Sequence, residues 1–501
     1  MKKVCLLIID GFGVAPPGPG NARTLAKMPT VQKLEKTVPN VLMDASGEAV
    51  GLSPGQQGTS EAGHLTMGAG RVVWQPLEII NRAIRSGEFF TNEVLVEACD
   101  RAKKKNVPLH LLGMYSGGGV HSHPSHFHAM IELAKKRGVK QLSLHLIGDG
   151  RDMPEQYFCV EFDLIKKEIT KNALGTISSL IGRYFAMDRD RNFELRTKPA
   201  YDLLTQGIGE EVQNLCEGAK AWYIKAPDKE KTDYYIRPLK TPAFQPLRPE
   251  DVCVCVNFRS DRMRQIVRAL EDETFTEFPR PVRIPDIVCM GPYSHHLPVA
   301  FPAQNISHKL GRVIAEAGLK QLRLAETDKY AHVTFFFNAQ KHDPYEGEER
   351  ILIDSPKVPN YADAPDMSAD ALTDALIQQV KSSKYDFIVA NFANPDLVGH
   401  GGKLDAAIKA CEAVDRNLAR VLPVLDEAGY DWIVTSDHGN AEQMYYPGTD
   451  TVCPSHTTNK VQTFVHSPTI SSAQLKGCTG LKDIAPLVLT MMGIPVPQEM
   501  H

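Results

Sequence analysis

The sequence predicts an α/β fold with mainly parallel strands, divided into two or three domains. Its 501 residues exceed the length of a single domain, since domains usually hold roughly 100–200 residues. Apolar segments of strand length alternate with segments of helical periodicity, which is typical of parallel sheets covered by helices. The first apolar run, residues 4–9, is continuous, as expected for a strand that is buried on both faces.

Two stretches of the chain show this alternation most clearly. In the first, a helical pattern over residues 125–137 is followed by Gly138, a suitable C-cap, and by a strand pattern over residues 141–147. In the second, helix and strand patterns alternate twice, and Pro423 is expected to interrupt the longer helix. This second stretch contains a helix over 368–380, a strand over 387–390, a helix over 404–428 and, after Gly429, a strand over 432–435.

The domain boundaries are marked only by composition. Residues 198–250 are richer in Lys, Asp, Glu and Pro and show weaker periodicity than the rest of the chain. Polar or proline-marked connectors near residues 74–77 and 301–306 are candidate hinges. Composition leaves both a sequential arrangement of domains and an inserted one open.

The charge balance argues against a protein dedicated to nucleic acids or acidic membranes. Lys and Arg total 56 while Asp and Glu total 60, which gives a net charge of −4. Proteins that bind polyanions usually carry a basic excess, although a local basic pocket is compatible with this total. We therefore expect no nucleic-acid partner and no membrane partner.

Cysteine usage and apolar runs predict the compartment. None of the ten cysteines forms a CxxC pair, and Cys253 and Cys255 lie in an apolar run typical of a buried strand. We expect no disulfide framework and hence a reducing compartment. The run over residues 4–9 is too short for a signal-peptide core, and prolines break the apolar residues 484–497. The protein is therefore expected to be soluble and cytoplasmic.

Acidic residues and histidines follow three predicted strands at their carboxyl ends, where ligands gather in open α/β sheets. Each alone has a common alternative, because an Asp-Gly after a strand is usually a turn and a single His is usually hydrogen-bonded. As a set of ligands, Asp and His side chains favour Mn²⁺, Zn²⁺ or Mg²⁺. The residues are Asp10, Asp396, His400, Asp437 and His438, and a further loop adds His456.

A glycine-rich loop, residues 54–64, carries the candidate nucleophile Ser60. Glycines on both sides allow a tight turn that presents its hydroxyl, which needs a base or a metal ion for activation. The alternative is that Ser60 merely caps a helix. The loop is not a Walker motif, since no Gly-Lys-Ser/Thr follows.

Three segments in the middle of the chain place arginines at predicted strand ends or in loops. They are residues 149–152, 182–190 and 257–262. Guanidinium groups bind phosphate and carboxylate in bidentate geometry, but the neighbouring aspartates make surface ion pairs the alternative. The loop over residues 117–123 adds His121, either a general base or a simple loop residue.

Together these motifs resemble the cofactor-independent phosphoglycerate mutases of the alkaline-phosphatase superfamily, over nearly the whole chain. The most specific segments are GQQGTSEAGH (residues 55–64), GVHSH (119–123), GRYFAMDR (182–189), AETDKYAHVTFFFN (325–338) and SDHGN (436–440).

The resemblance implies a role for each candidate residue. One metal ion would be held by Asp396, His400 and His456, and a second by Asp10, Ser60, Asp437 and His438. Ser60, Asp152 and Lys329 would be catalytic, with Lys329 near the phosphate. Substrate would be bound by His121, Arg151, Asp152, Arg183, Arg189, Arg259, Arg262 and Lys329.

The resemblance also implies the architecture and the cofactors. An alkaline-phosphatase-like, doubly wound, mainly parallel sheet would carry a second, inserted α/β domain. The metal-binding domain would comprise residues 1–75 and 304–501, and the substrate-binding transferase domain residues 78–300, with hinges near 75–77 and 301–306. Two divalent ions are expected, Mn²⁺ first, with Mg²⁺, Co²⁺ or Zn²⁺ as alternatives. The partner would be a small-molecule phosphoglycerate, and we expect a monomer.

The implied activity interconverts 3-phosphoglycerate and 2-phosphoglycerate in glycolysis and gluconeogenesis, without bisphosphoglycerate, through phosphoserine at Ser60. Asp152 would exchange protons with the glycerate hydroxyls, with His121 as the alternative. A plain phosphomonoesterase, a mutase of another phosphosugar and a binding protein with a dead site are the competing interpretations. Complete metal-ligand and arginine motifs disfavour them.

Two positions depart from the family pattern. Gly117 stands where an acidic residue precedes the glycines of the His121 loop, which affects the expected loop geometry. Thr59 stands directly before Ser60, where the family often has Asn, which affects the expected phosphate contacts.

Overall fold

The computed structural model describes residues 2–500, which divide into two compact units. Unit 1 comprises residues 2–75 and 304–500, and unit 2 comprises Pro76–Ala303. Each unit contains its own seven-stranded sheet with helices packed on it. The predicted α/β fold with mainly parallel sheets is confirmed.

The strands of the described chain are numbered in chain order. They are β1 (Lys3–Ile9), β2 (Asn40–Met43), β3 (Leu109–Met114), β4 (Leu142–Gly148), β5 (Thr176–Gly182), β6 (Glu210–Glu211), β7 (Leu239–Lys240), β8 (Val252–Cys255), β9 (Ile287–Cys289), β10 (Gln321–Glu326), β11 (Glu348–Ile353), β12 (Phe387–Phe392), β13 (Tyr430–Thr435) and β14 (Val461–His466).

The helices are numbered in the same way. The α-helices are α1 (Ala22–Leu25), α2 (Pro29–Thr37), α3 (Ser60–Ala69), α4 (Pro76–Ser86), α5 (Glu93–Lys105), α6 (Pro124–Arg137), α7 (Phe158–Asn172), α8 (Arg183–Ala186), α9 (Lys198–Gln206), α10 (Leu215–Lys225), α11 (Arg264–Glu271), α12 (Leu310–Glu316), α13 (Thr327–Ala331), α14 (Ala369–Lys381), α15 (Asn394–Gly399), α16 (Leu404–Glu427), α17 (Ser472–Gly477) and α18 (Ile484–Met492). Phe193–Thr197 and His332–Phe336 are π-helical turns.

The sheet of unit 1 has the strand order β11-β10-β12-β1-β13-β14-β2. The first five strands are parallel, whereas β14 is antiparallel to both of its neighbours. Along β1, Leu7 packs into the apolar cluster on one face and Leu6 into the cluster on the other. This double burial explains why the run over residues 4–9 is apolar without alternation.

The sheet of unit 2 has the strand order β6-β7-β5-β4-β3-β8-β9. The five neighbouring strands β5, β4, β3, β8 and β9 are parallel to one another. Strand β7 pairs antiparallel with β5. Leu111 and Leu112 of β3 point into separate apolar clusters on the two faces. Helix α6 and strand β4 match the predicted pair, and Gly138 ends α6 in the left-handed conformation with φ 76°.

The predicted interruption of a helix at Pro423 is wrong, because α16 runs without a break from Leu404 to Glu427. Pro423 removes only one backbone donor, and its ring lies on the exposed side of the helix. The neighbouring Leu418, Val421 and Leu425 are buried in the core of unit 1. Packing of this apolar face therefore carries the helix through the proline.

The expectation of no disulfide framework also needs correction, because Cys159 on α7 and Cys216 on α10 form a disulfide. The two cysteines lie 57 residues apart, a spacing that carries no recognisable signal in a single sequence. The other eight cysteines of the described chain are free thiols. The inference of a reducing compartment therefore loses its support.

No helix within residues 2–500 combines the length and the apolar character needed to cross a bilayer.

Candidate active site

Three loops of unit 1 bring the predicted metal ligands to the carboxyl edge of the sheet. Ile9 of β1 pairs with Phe392 of β12, and Ile8 pairs with Thr435 of β13, so these three strands end at one level. The residues that follow them are therefore placed side by side, as expected at the carboxyl ends of parallel strands. The long loop between β13 and β14 carries Asp437 and His438 at its start and His456 near its end.

The first ligand cluster consists of Asp396, His400 and His456. The Oδ1 atom of Asp396 lies 3.3 Å from Nε2 of His400 and 3.1 Å from Nε2 of His456. The two Nε2 atoms are themselves 3.0 Å apart. All three side chains thus offer ligand atoms to one point in space.

The second ligand cluster consists of Asp10, Asp437 and His438, all of them buried. Nε2 of His438 lies 3.4 Å from Oδ1 of Asp10 and 3.6 Å from Oδ2 of Asp437. That Oδ2 atom is buried and accepts no hydrogen bond within the described chain. A buried carboxylate oxygen without a donor needs a cation or a proton beside it.

The orientation of His400 and His456 fits a divalent cation. Nδ1 of His400 contacts the carbonyl oxygen of Pro454 at 2.6 Å, and Nδ1 of His456 contacts that of Gly58 at 2.7 Å. A proton on each Nδ1 leaves the Nε2 lone pairs free, and these lone pairs point at each other. Two facing lone pairs 3.0 Å apart repel unless a positive charge lies between them. The oxygen and nitrogen donors suit Mn²⁺, Zn²⁺, Mg²⁺ or Co²⁺.

The protonation equilibria reflect the same concentration of negative charge. Burial disfavours the charged form of His438, but the carboxylates of Asp437, Asp10 and Asp396 outweigh it and raise the pKa of His438 to about 10. Burial alone would raise the pKa of Asp396, but Lys329 and the neighbouring histidines hold it well below its usual range. The carboxylates of this cluster thus favour a positive charge beside them.

Ser60 is the first residue of α3, and its hydroxyl is directed into this cluster. Its Oγ atom lies 2.9 Å from Nε2 of His438 and 3.2 Å from Oδ1 of Asp10. The capping alternative for Ser60 is wrong, because the N-cap is Thr59, whose Oγ1 accepts a hydrogen bond from the amide of Ala62 at 3.2 Å. The Ser60 hydroxyl is therefore not used to hold the helix.

Lys329 lies on α13, just after β10, and is almost completely buried. Its Nζ donates to Oγ of Ser60 at 2.8 Å, to Oδ1 of Asp10 at 2.7 Å and to Oδ2 of Asp396 at 2.6 Å. Burial would lower the pKa of Lys329, but Asp10 and Asp396 raise it well above its usual range. Lys329 is thus a fixed positive charge in contact with the candidate nucleophile.

In unit 2, two of the predicted substrate-binding residues, His121 and Asp152, lie around the buried Arg183. Nη1 of Arg183 donates to Oδ1 of Asp149 and to Oδ2 of Asp152, each at 2.6 Å. Its Nη2 donates to Nε2 of His121 at 2.8 Å. Burial and the charge of Arg183 lower the pKa of His121 to about 3, so this imidazole is neutral at physiological pH. Since Nε2 of His121 accepts from Arg183, this atom carries no proton that it could give to a substrate.

The other arginines of unit 2 that are predicted to bind substrate differ in exposure. Arg189 and Arg259 have side chains that are each 47% exposed, and both pair with Asp261. Arg262 is nearly buried, and its Nη1 donates to the carbonyl oxygen of Met187 at 3.1 Å. The fourth, Arg151, is exposed, and its backbone amide donates to Oδ1 of Asp149 at 3.3 Å. The surface ion-pair alternative thus describes Arg189 and Arg259 but not Arg183.

A glutamate from another element lies beside Gly117, the residue that stands where the family pattern has an acidic residue. The amide of Gly117 donates to Oε1 of Glu161, on α7, at 2.6 Å. Burial raises the pKa of Glu161 to about 7. A carboxyl group therefore holds this loop from another element of unit 2, although the loop itself lacks an acidic residue.

Sequence reasoning missed the buried residues that hold the site residues in place. Asp149 accepts hydrogen bonds from Oγ of Ser116 at 2.6 Å and from the amide of Asp152 at 3.1 Å. Asn391 donates to Oδ2 of Asp10 at 2.8 Å. Asp149 directly follows β4, and Asn391 lies at the end of β12, just after the strand predicted over residues 387–390; position at a strand end is the one local signal that could have drawn attention to them.

Comparison with known proteins places the chain in a defined group. The model of the Metalloenzyme superfamily matches residues 2–496. A 2,3-bisphosphoglycerate-independent phosphoglycerate mutase of Moorella thermoacetica is 44% identical, over 100% of this chain and 97% of that protein. The protein of the same name from Clostridioides difficile is 42% identical, over 100% of this chain and 98% of the relative.

A solved structure shares the fold. The phosphoglycerate mutase of Leishmania mexicana, crystallised at low cobalt concentration, superposes with a TM-score of 0.63 at 29% sequence identity. The match covers 100% of this chain and 97% of that one. The similarity therefore extends over both units and is not confined to a shared motif.

Proposed function

This chain belongs to the 2,3-bisphosphoglycerate-independent phosphoglycerate mutases of the Metalloenzyme superfamily, and we propose that it interconverts 3-phosphoglycerate and 2-phosphoglycerate through a phosphoserine on Ser60. The observation that carries the proposal is the environment of the Ser60 hydroxyl, which contacts Lys329 at 2.8 Å and His438 at 2.9 Å. A serine becomes a useful nucleophile only where such groups stabilise its alkoxide.

The two ligand clusters are the proposed sites of two divalent cations, with Mn²⁺ as the first expectation. Asp396, His400 and His456 would hold one cation, and Asp10, Ser60, Asp437 and His438 the other. When bound, the cations would polarise the phosphate oxygens and lower the pKa of the serine hydroxyl.

In the first half of the proposed reaction, Ser60 loses its proton to solvent and its Oγ atom attacks the phosphorus atom. The bond between phosphorus and the C3 oxygen breaks, and Asp152 donates a proton to that oxygen as it leaves. Lys329, already hydrogen-bonded to Oγ of Ser60, stabilises the negative charge that develops on the phosphoryl group.

In the second half, glycerate reorients without leaving and its C2 oxygen attacks the phosphorus atom of phosphoserine. Asp152 takes the proton from the C2 hydroxyl, and the bond from phosphorus to Oγ of Ser60 breaks. Oγ of Ser60 takes a proton back from solvent, so nucleophile and acid are both restored and no bisphosphoglycerate is consumed. The hydrogen bond of 2.6 Å from Arg183 orients the Asp152 carboxyl for both transfers.

The arginines of unit 2 are the proposed substrate contacts. We assign the phosphate to Arg259 and Arg262, and the carboxylate and hydroxyls to Arg151, Arg183 and Arg189, because guanidinium forks match these groups in bidentate geometry. His121, neutral and bonded to Arg183, serves as a hydrogen-bonding group. We place the reaction in glycolysis and gluconeogenesis, carried out by a cytoplasmic monomer.

The test is an assay on 3-phosphoglycerate with protein reconstituted with Mn²⁺, in the presence and absence of 2,3-bisphosphoglycerate. We expect 2-phosphoglycerate at the same rate in both cases, and none in excess chelator. Acid quenching during turnover should trap one phosphoryl group on the peptide that contains Ser60. An absolute need for bisphosphoglycerate would overturn the proposal, and exclusive release of glycerate and inorganic phosphate would indicate a phosphomonoesterase.

A further inference from the structure

Glu442 is a buried glutamate that accepts hydrogen bonds from three separate segments of unit 1. It lies in the loop after β13 and is only 2% exposed. Its Oε2 atom accepts from the amides of Gly13 at 3.0 Å and Asn440 at 2.8 Å. Its Oε1 atom accepts from Nδ2 of Asn459 at 2.9 Å and from the hydroxyl of Thr457. Four neutral donors therefore surround one carboxylate.

Each of these donors is close in sequence to a ligand of the two clusters. Gly13 follows Asp10 in the loop after β1, Asn440 follows His438 in the loop after β13, and Thr457 directly follows His456. The carboxylate of Glu442 thus joins the loop after β1 to two separate parts of the connection between β13 and β14. Its position fixes the distance between them.

Asn440 extends the same network to the first ligand cluster. Its side-chain Nδ2 donates to Oδ1 of Asp396 at 3.1 Å, while its backbone amide donates to Glu442. Glu442 is therefore linked to Asp396 of the first cluster through one intervening residue, Asn440.

Two glycines show how closely the loops approach this carboxylate. A Cβ atom at Gly13 would lie 2.5 Å from Cδ of Glu442, and one at Gly439 would lie 2.2 Å from its Oε1. Neither glycine has a positive φ, so the approach of Glu442, rather than the backbone conformation, demands them. This packing is independent of the hydrogen bonds and indicates a fixed position for the side chain.

We propose that Glu442 is a positioning residue, whose four hydrogen bonds set the spacing of the metal-ligand loops and thereby the metal affinity of both clusters. The inference rests on the proposed function only in taking divalent cations as the resident cofactors. A charged acceptor bonds more strongly than a neutral amide, and groups behind metal ligands commonly change metal affinity by roughly 10- to 100-fold.

The test is the Glu442→Gln variant of the full chain, titrated with Co²⁺ as apoprotein and followed by visible absorption. Glutamine keeps the size of the side chain but loses one acceptor oxygen, so two donors lose their partner. We expect Co²⁺ affinity to fall about 10- to 100-fold, with a changed absorption spectrum because the ligand geometry shifts. Unchanged affinity and spectrum would overturn the inference.

The matched control is Glu348→Gln, which removes the charge of another buried glutamate in unit 1. Glu348 lies on β11 and bonds to Asn338 and Arg350 rather than to the ligand loops. The control should bind Co²⁺ like wild type, even if its melting temperature falls. An equal loss of affinity in both variants would show a general effect of destabilisation and would also overturn the inference.

A second variant, Thr457→Val, covers the case in which Glu442→Gln does not fold. It removes one donor and keeps the carboxylate, so Co²⁺ affinity should fall in the same direction by less, and wild-type affinity would count against the inference. The mutase assay separates this inference from the proposed function. Wild type that binds Co²⁺ but forms no 2-phosphoglycerate would overturn the function alone.

Discussion

In unit 1 most candidate site residues are buried and bonded to one another, with His400 as an exposed exception, whereas in unit 2 they range from buried to half-exposed. Asp10 and His438 are fully buried and Ser60 is 4% exposed. In unit 2, Arg183 is 2% exposed, but the side chains of Arg189 and Arg259 are each 47% exposed. Both units use the carboxyl edge of a mainly parallel sheet, yet they prepare their residues to different degrees.

This difference separates two kinds of task. Residues fixed before substrate arrives suit the covalent step, because preorganised charge needs no rearrangement during the reaction. Exposed arginine side chains keep rotamer freedom that is lost when they grip a ligand. We therefore expect changes in unit 1 to act mainly on kcat, and changes in unit 2 to act mainly on KM.

The largest effect is expected for Ser60→Ala in unit 1. Removing the nucleophile should lower kcat by on the order of 10³-fold or more, as found when a unique catalytic serine is lost. Since Asp396, His400 and His456 are untouched, Co²⁺ should still bind to the first cluster. The variant should be assayed for 2-phosphoglycerate and titrated with Co²⁺ in parallel, and near-normal turnover would contradict the role of Ser60.

In unit 2, Arg262→Ala should raise KM more than it lowers kcat. A charged hydrogen bond contributes about 1.5–3 kcal/mol, which corresponds to roughly 10- to 150-fold in kcat/KM. The control is Arg137→Ala, because Arg137 pairs with Asp100 on the surface and its side chain is 42% exposed. Steady-state kinetics should show at most about fivefold change for the control. Equal effects of both changes would remove Arg262 from the substrate contacts.

The sequence predicts individual strands and helix caps better than it predicts the contacts between elements that are distant in sequence. The apolar run before Asp10 and the Gly138 cap depend on neighbours in sequence, and both predictions are confirmed. The continuous helix through Pro423 depends on a buried face packed by other elements, which local propensity does not contain. The Cys159–Cys216 pair depends on two helices that meet only in the folded chain.

A similar division applies to the candidate site. The residues named from strand ends, such as Asp10 and Asp437, lie together because parallel strands end at one edge. The residues that hold them, such as Glu442, show no pattern, because their partners come from distant loops. Ligating side chains have a characteristic type, whereas a buried acceptor is defined only by the donors that surround it.

The buried histidines of unit 2 offer a pH test of its stability. Burial lowers the pKa of His126 to about 3, so the folded state rejects a proton that the unfolded state accepts below about pH 6.5. The free energy of unfolding should therefore fall with decreasing pH between about 6.5 and 3, by up to about 1.4 kcal/mol per pH unit for this residue. His126→Gln should remove this contribution.

The measurement is the difference in urea midpoint between wild type and His126→Gln. Both are used as the full chain, and the titration is repeated at several pH values. The advantage of wild type should shrink as the pH is lowered. A difference that stays constant with pH would contradict the assignment of His126 as a buried neutral group.

The smallest expected effect concerns Thr59, which caps the helix that presents Ser60. Thr59→Ala should weaken the first turn of α3 by about 1 kcal/mol, whereas Thr59→Asn should be nearly neutral, because Asn also accepts a hydrogen bond at an N-cap. Hydrogen exchange of the α3 amides should therefore quicken about fivefold in the alanine variant only. Ser471→Ala removes the cap of α17, also in unit 1, and should quicken exchange in α17 without affecting turnover. If turnover of Thr59→Ala falls together with α3 protection while Ser471→Ala stays active, the rigidity of unit 1 matters to the nucleophile itself. Unchanged exchange in α3 would mean that the contacts of Ser60 with Lys329 and His438 hold the helix start without the cap.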